Sequence, residues 1–388
     1  MERFDAVVVG AGPAGSLTAY HLARAHARVL LVDKARFPRD KPCGGGLTYR
    51  ALRQLPFSVE PVVEDVVSRV ECRLQYRRTF ERGDRPVAVM TQRRRLDSFL
   101  VERAVEAGAE FRDGSRVDVD SDTQVRVAGA AVEAAALIGA DGANGVTART
   151  LGLAGEIVHG VALEGNLRYG PVSRRRYGGR MVLELAVVPG GYGWVFPKGD
   201  HVNFGVGGWD FEGPKLRGHL RRLCEEHGVD VEELTDVRGH RLPLRRAGAL
   251  LSRGRAALVG DAAGLVDPVS GDGMYEAFFS ARLAAAAAID VLEGRAETLA
   301  PYHAVVARAL GSVAAAGWGA KVALDRFPRA TFALMRLPVT WRALEQIVLG
   351  EVSSPSTTKG AERRAMKLVE ALARRAGDPG RAFKAAAA

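Results

Sequence analysis

Gly10-Ala11-Gly12-Pro13-Ala14-Gly15 decides the fold, because it stands between an apolar run, Ala6-Val7-Val8-Val9, and a helix-like stretch from Ser16 to Ala27. Glycines there permit a tight turn, let a pyrophosphate approach the backbone, and let the following helix pack against the strand. The helix start turns its free N–H groups toward an anion. A second apolar run, Arg28 to Val32, ends at Asp33, about where such βαβ units place an acid that bonds a ribose hydroxyl. Gly10, Gly12, Ala14, Gly15, Asp33 and the adjacent Lys34 are therefore candidate dinucleotide ligands. The fingerprint occurs once, so a second dinucleotide would have to dock transiently.

Outward from this unit, Lys34 to Gly46 is rich in Pro, Gly and charge and reads as an extended loop leading into a helix near Leu47 to Leu55. Strand-like alternation from about Val62 to Val89 precedes the helical spacing of Leu96, Phe99, Leu100 and Ala104, and short strands run on to Asp141. Between about Val158 and Leu250, repeated Val, Leu, Tyr and Trp among glycines predict an antiparallel sheet, interrupted by a helix near Lys215 to His227. Ala256 to Val259 returns to a buried strand, and a long Ala-rich helix spans Gly273 to Leu292. The remaining tail is helical with breaks at Pro328 and Pro338, and Ala385 to Ala388 are expected to fray. The expected class is mixed α/β: a Rossmann-like nucleotide-binding domain, discontinuous over 1–60, 88–157 and 251–300, with an intergrown antiparallel-sheet substrate domain over 61–87 and 158–250. A C-terminal helical region covers 301–388.

Composition narrows the class of partner. Of 388 residues, 47% are hydrophobic and 26% charged, which is globular, and a formal charge of +10 suits a phosphate-bearing ligand or an anionic membrane surface. The Arg clusters, such as Arg174-Arg175-Arg176, lack aromatic interleaving and any finger, ribbon or recognition-helix pattern, so no nucleic-acid role is expected. Cys43, Cys72 and Cys224 are widely spaced, which supports neither a disulfide framework nor a metal site, and a reducing compartment fits them best. The N-terminus is broken by glycine too soon for a secretory segment, and the apolar stretch Ala277 to Leu292 is interrupted by Arg282 and Asp290. A cytoplasmic chain with at most peripheral membrane contact is the expectation.

Two later segments repeat the pairing of glycine with an acid. They are Ile138-Gly139-Ala140-Asp141-Gly142-Ala143-Asn144, and Ala257-Leu258-Val259-Gly260-Asp261-Ala262-Ala263-Gly264 with Pro268 and Gly271-Asp272-Gly273 beyond it. Together with the first turn they resemble the flavoprotein group that includes the aromatic hydroxylases, and within it the geranylgeranyl reductase family, from about Phe4 to Arg295. The resemblance implies one bound FAD, contacted at Asp141 and Gly142 and held along its ribityl chain by Gly260 and Asp261. Pro268, Gly271, Gly273 and Met274 would lead into a helix whose positive end favours the reduced, anionic flavin. Where the family has Ser followed by Arg, this chain has Gly145-Val146-Thr147-Ala148-Arg149. Arg94, three residues before Asp97, resembles the arginine the group uses near its cofactor, although a solvated basic face would look the same.

Two more segments point within the group to reductases. Pro38-Arg39-Asp40-Lys41-Pro42-Cys43-Gly44-Gly45-Gly46 is similar to the Lys-Pro-Cys-Gly loop that approaches the flavin ring in geranylgeranyl reductases. Tyr192-Gly193-Trp194-Val195-Phe196-Pro197-Lys198-Gly199 is similar to their Tyr-x-Trp-x-Phe-Pro strand, which borders the substrate cavity. The resemblance implies saturation of polyprenyl double bonds by hydride from reduced flavin, with NAD(P)H or a ferredoxin as transient electron donor. Cys43, Tyr192 and Trp194 are the candidate catalytic residues, and Cys43, Gly44 and Gly45 also join the cofactor contacts. Cys43 either packs inertly or gives a proton to the reacting carbon, and the alternating aromatics are either core or cavity wall. The rival reading is a flavin monooxygenase or halogenase, which shares the cofactor motifs. Halogenases of the group carry Trp-x-Trp-x-Ile-Pro in place of the Tyr192 segment, which favours the reductase. A flavin-binding or lipid-carrying protein without turnover is a third reading.

Overall fold

The computed structural model describes residues 1–376 apart from 84, 156, 171, 173, 246 and 247, so the expected fraying of Ala385 to Ala388 lies outside the described residues. Its first sheet is built on Glu2–Val9, which pairs in parallel with Val29–Val32 on one side and Ala130–Gly139 on the other. Ala256–Leu258 and Glu110–Arg112 extend it in parallel at either flank, and Ser252–Arg253 adds a short antiparallel edge. Val7, Val8, Leu30, Leu31, Leu137 and Ile138 are wholly buried. That is why these strands read as unbroken apolar runs rather than alternations. The helices Pro13–Arg24, Arg93–Glu106 and Met274–Leu292 pack together over this sheet.

The second sheet has seven strands in the order Thr235–Arg245, Ile157–Arg168, His201–Trp209, Tyr192–Lys198, Arg180–Leu185, Arg69–Leu74, Arg78–Arg82. It is antiparallel except where Arg180–Leu185 runs parallel to Arg69–Leu74, which corrects the expectation of a wholly antiparallel sheet. These two strands come from separate passes of the chain, so no hairpin dictates their relative direction. Residues 61–87 divide between sheets: Val63–Val67 pairs with Ala88–Thr91 in a small three-stranded sheet that also holds Gly46–Thr48. The helix expected near Leu47 to Leu55 is correspondingly shorter, Tyr49–Leu52, capped by the Thr48 side chain.

One face of the second sheet is closed by Leu216–Glu226, whose Leu216, Leu220, Leu223 and Cys224 bury against Val195, Phe204 and Val206. Above the other face run the C-terminal helices Ala300–Arg326, Pro328–Arg336, Pro338–Val348 and Gly360–Ala376. The two prolines that looked like breaks open helices, where a missing N–H costs nothing and the fixed φ suits the first turn. Leu324, Phe332, Met335, Trp341 and Val348 cluster with Met181, Leu183, Leu185, Tyr192 and Phe196 of the sheet.

Candidate functional site

Val9, Gly139 and Leu258 stand side by side at the carboxyl ends of three adjacent parallel strands, and Val32 faces Val9 from the other side. The glycine turn, Asp33, Asp141 and Asp261 therefore leave the sheet along one edge, where open parallel sheets bind nucleotides. They open onto a cavity of about 1770 Å³. Gly10, Gly12, Ala14, Asp33, Lys34, Cys43, Gly44, Gly45, Asp141, Gly142, Asp261, Pro268, Gly271, Gly273, Met274, Tyr192 and Trp194 all line it. Gly15 and Gly260 stand behind this lining, and Arg94 is elsewhere.

The glycines of the first turn do different things. Gly10 has φ +104°, and a Cβ there would fall 2.4 Å from the Ala140 carbonyl oxygen. A Cβ at Gly15 would fall 1.8 Å from the Gly10 oxygen, so these two let the turn, helix and neighbouring strand close up. At Gly12 a Cβ would meet nothing nearer than an Arg39 guanidinium nitrogen at 3.5 Å, and the helix it begins has no side-chain cap. An open backbone with uncapped N–H groups at a helix start is what a pyrophosphate needs, so the residues present fit FAD. Asp33 is held at the next strand end, where its two carboxylate oxygens accept the Ala11 and Ala35 amides at 2.8 Å each.

Arg94 is a correction. It is exposed on the outer side of Arg93–Glu106, and its neighbour Arg93 is the buried residue that lines the cavity. Four residues separate Arg93 from Asp97, which brings both onto one helical face, and the guanidinium grips the carboxylate with two bonds of 2.7 and 2.8 Å. Arg39 adds a third contact to Asp97 at 2.9 Å. The departure at Gly145 also has a cause. Asp141 turns back to accept the Val146 and Thr147 amides at 2.7 and 3.0 Å, and a Cβ at Gly145 would lie 2.1 Å from its carboxyl carbon. A serine has no room there, and Arg149 is exposed.

Asp261 meets the Lys41 ammonium at 2.9 Å and His240 Nε2 at 3.8 Å. Burial pushes its carboxyl up, but Lys41 and His240 outweigh that and hold it well below the ordinary carboxylate range. Eleven residues on, burial and the Asp267 charge push Asp272 up to about 6 even though it accepts the Met274 amide. The same two causes lift Glu276 well above its usual value. Glu276 is the acid in the first turn of Met274–Leu292.

The Cys43 loop lies between the two sheets. Cys43 is half-buried, its amide donates to Glu164 at 2.7 Å, and Lys198 donates to its carbonyl at 2.6 Å. A Cβ at Gly44 would fall 2.9 Å from the Phe196 ring, so the loop presses directly on the aromatic strand. On that strand Tyr192, Trp194 and Phe196 share the cavity face by period-two alternation, while Val195 faces the other way and is fully buried. The Trp194 indole N–H donates to Asn203 at 2.8 Å, and the ring lies over Gly205, where a Cβ would come within 2.1 Å of it. The Tyr192 hydroxyl donates to the Ser270 carbonyl. Sequence reasoning missed Arg39, Lys41, Arg93 and Glu164 as cavity residues, and Lys198 as the partner of the Cys43 carbonyl. Glu164 alone carried a signal, as a single acid within the apolar run Val161 to Leu167.

A nucleotide cradle that opens without a partition into an aromatic-walled space places the chain among the FAD flavoproteins that hold cofactor and substrate together. The FAD-binding-domain family profile matches residues 3–310. The geranylgeranyl diphosphate reductase of Rhodobacter capsulatus is 34% identical over 75% of this chain and 76% of its own. The menaquinone reductase of Mycolicibacterium smegmatis is 34% identical over 73% of this chain and 76% of its own. Among solved structures, a geranylgeranyl bacteriochlorophyll reductase-like protein of Thermoplasma acidophilum superposes with a TM-score of 0.76, covering 96% of this chain and 100% of that one at 22% identity. A variant of a flavin-dependent brominase does so with a TM-score of 0.77, over 96% and 100%, at 18% identity. At such identities the two structures speak for the fold alone. The chain belongs to the FAD-binding-domain family, in its geranylgeranyl reductase branch, and is an FAD-dependent oxidoreductase.

Proposed function

We propose that the chain saturates carbon–carbon double bonds of a polyprenyl group, with NAD(P)H or a ferredoxin as the transient source of electrons. The observation that carries this reading is the apolar space continuous with the nucleotide cradle. Met181, Leu183, Leu185, Leu324, Met335, Trp341 and Val348 line it, together with the aromatic strand. A flexible hydrocarbon gains by leaving water for such a lining, and it needs no hydrogen bond to be held there. Bound FAD, once reduced, supplies hydride to one carbon of the double bond. The other carbon needs a proton, and Cys43 and Tyr192 are the candidates lining the space. Burial pushes the Tyr192 hydroxyl up, so it keeps its proton at neutral pH. Trp194, whose indole N–H is far too weak an acid to give up its proton, acts as wall rather than donor.

No helix among the described residues is long and apolar enough to cross a membrane. Exposed Leu337 and Leu368 beside Arg336 and Lys367 support peripheral contact with anionic lipid, which would bring a prenyl substrate to the cavity.

The test mixes purified FAD-loaded protein with a reductant and a polyprenyl substrate, then follows product mass and oxygen uptake. A gain of two hydrogens per bond supports the reductase. Oxygen insertion or halide transfer would turn the reading to the monooxygenase or halogenase class, and absence of flavin turnover to a carrier. If Cys43 gives the proton, Cys43→Ser keeps its FAD and loses alkene turnover by about 10²–10⁴-fold; turnover at the wild-type rate removes Cys43 and leaves Tyr192.

A further inference from the structure

Cys43 is held from a direction that the nucleotide-binding motifs do not explain. Glu164, on Ile157–Arg168, and Lys198, at the end of Tyr192–Lys198, both come from the second sheet. Glu164 takes the amide of Cys43 and Lys198 takes its carbonyl, so the two peptide groups flanking the Cys43 Cα are each fixed by a buried charge. With both peptides fixed, the direction of the Cα–Cβ bond is fixed, which leaves the sulfur only its choice of χ1 rotamer. The next residues are fastened as well. Gly45 accepts from the Thr91 amide at 2.8 Å and the Thr91 hydroxyl at 3.1 Å, and its own amide donates to the Cys43 sulfur at 3.4 Å.

A neutral acceptor would satisfy an amide equally well at lower cost, because burying a carboxylate is expensive. Glu164 bears that cost. Burial pushes its carboxyl upward against the pull of Lys198. The charge-assisted bonds so formed are stronger than neutral ones.

We propose that Glu164 and Lys198 are positioning residues that clamp Cys43 between the flavin-binding domain and the second sheet, setting the thiol's place in the cavity. The catalytic meaning of the clamp rests on the reading of Cys43 as proton donor. The clamp itself does not, and it can be measured without substrate. Cys72 and Cys224 are fully buried, and burial pushes both thiols up to about 12, so a bulky disulfide reagent reports on Cys43 alone.

The experiment compares thiol reaction rates of FAD-loaded wild type, Glu164→Ala, Glu164→Gln and Lys198→Met, with FAD content recorded for each and Cys43→Ala as the blank. Loss of either clamp bond is expected to speed the reaction about tenfold, and Glu164→Gln, which keeps an acceptor for the amide, to restore most of the wild-type protection. In turnover, Glu164→Ala is expected to lower kcat with KM unchanged. Rates within about twofold of wild type in both Glu164→Ala and Lys198→Met, with FAD retained, overturn the clamp. If one variant fails to hold FAD, the other decides. A wild-type protein that reduces no prenyl substrate, while the thiol rates respond as described, refutes the polyprenyl reading and leaves the clamp standing.

Discussion

At the scale of single residues, the site is governed by where charges are buried and what answers them. Asp272 is the clearest titrating case. Its carboxyl is lifted from 3.8 to about 6 in the folded chain, so the folded state holds the proton more tightly than the unfolded one. Its favourable contribution is complete below pH 3.8 and is lost as pH rises through about 6. Asp272→Asn keeps an acceptor for Met274 and should stabilise the FAD-free chain above pH 6 by at most about 3 kcal/mol, with no gain near pH 3; denaturant unfolding at the two pH values measures it. A gain that is the same at both would show that the charge is not the cause. Arg93 and Arg94 offer a contrast between neighbours. Arg93→Met leaves the fully buried Asp97 with Arg39 as its remaining cation among the described residues and is expected to cost about 3–5 kcal/mol. Arg94→Met, on the exposed side, should stay within about 0.5 kcal/mol. Equal effects in thermal unfolding would contradict the placement of Arg93.

At the scale of elements, the glycine turn separates two requirements that a sequence pattern states as one. Gly15 exists so that helix and strand can meet, and Gly12 so that a ligand can reach the backbone. Gly15→Ala should therefore yield protein that is poorly folded and free of FAD, since the new methyl would occupy the place of the Gly10 carbonyl. Gly12→Ala should fold with a thermal midpoint near that of wild-type apoprotein and still bind FAD at least tenfold more weakly, read by flavin fluorescence titration. Tight FAD binding by Gly12→Ala would mean that the cradle lies elsewhere. The aromatic strand follows similar logic: Trp194 can lie flat on the sheet only because Gly205 beneath it has no side chain.

At the scale of the whole molecule, the C-terminal helices and the second sheet form one body around the cavity. Phe332 is buried, with its ring centroid 5.2 Å from that of Phe80, and Phe80 meets Trp341 at 5.8 Å. Phe332→Ala should cost about 3–5 kcal/mol and make residues 300–376 the first site of limited proteolysis, while FAD stays bound. Loss of FAD instead would show that the roof and the cradle are not separable. The nucleotide end of this architecture was legible in the sequence, because strand, glycine turn, helix and terminal acid are consecutive and each reflects a local backbone preference. The period-two aromatics were legible for the same reason, whereas Pro328 and Pro338 read as breaks and are helix starts. Tertiary structure alone decided that Arg93 and not Arg94 turns inward, that one pair of strands in the second sheet runs parallel, and that Glu164 reaches Cys43 across 121 residues of chain. Consecutive residues encode the path of the backbone. Which distant side chains meet depends on how the sheets and helices stack, and that is a property of the packed body, which no short stretch of sequence contains.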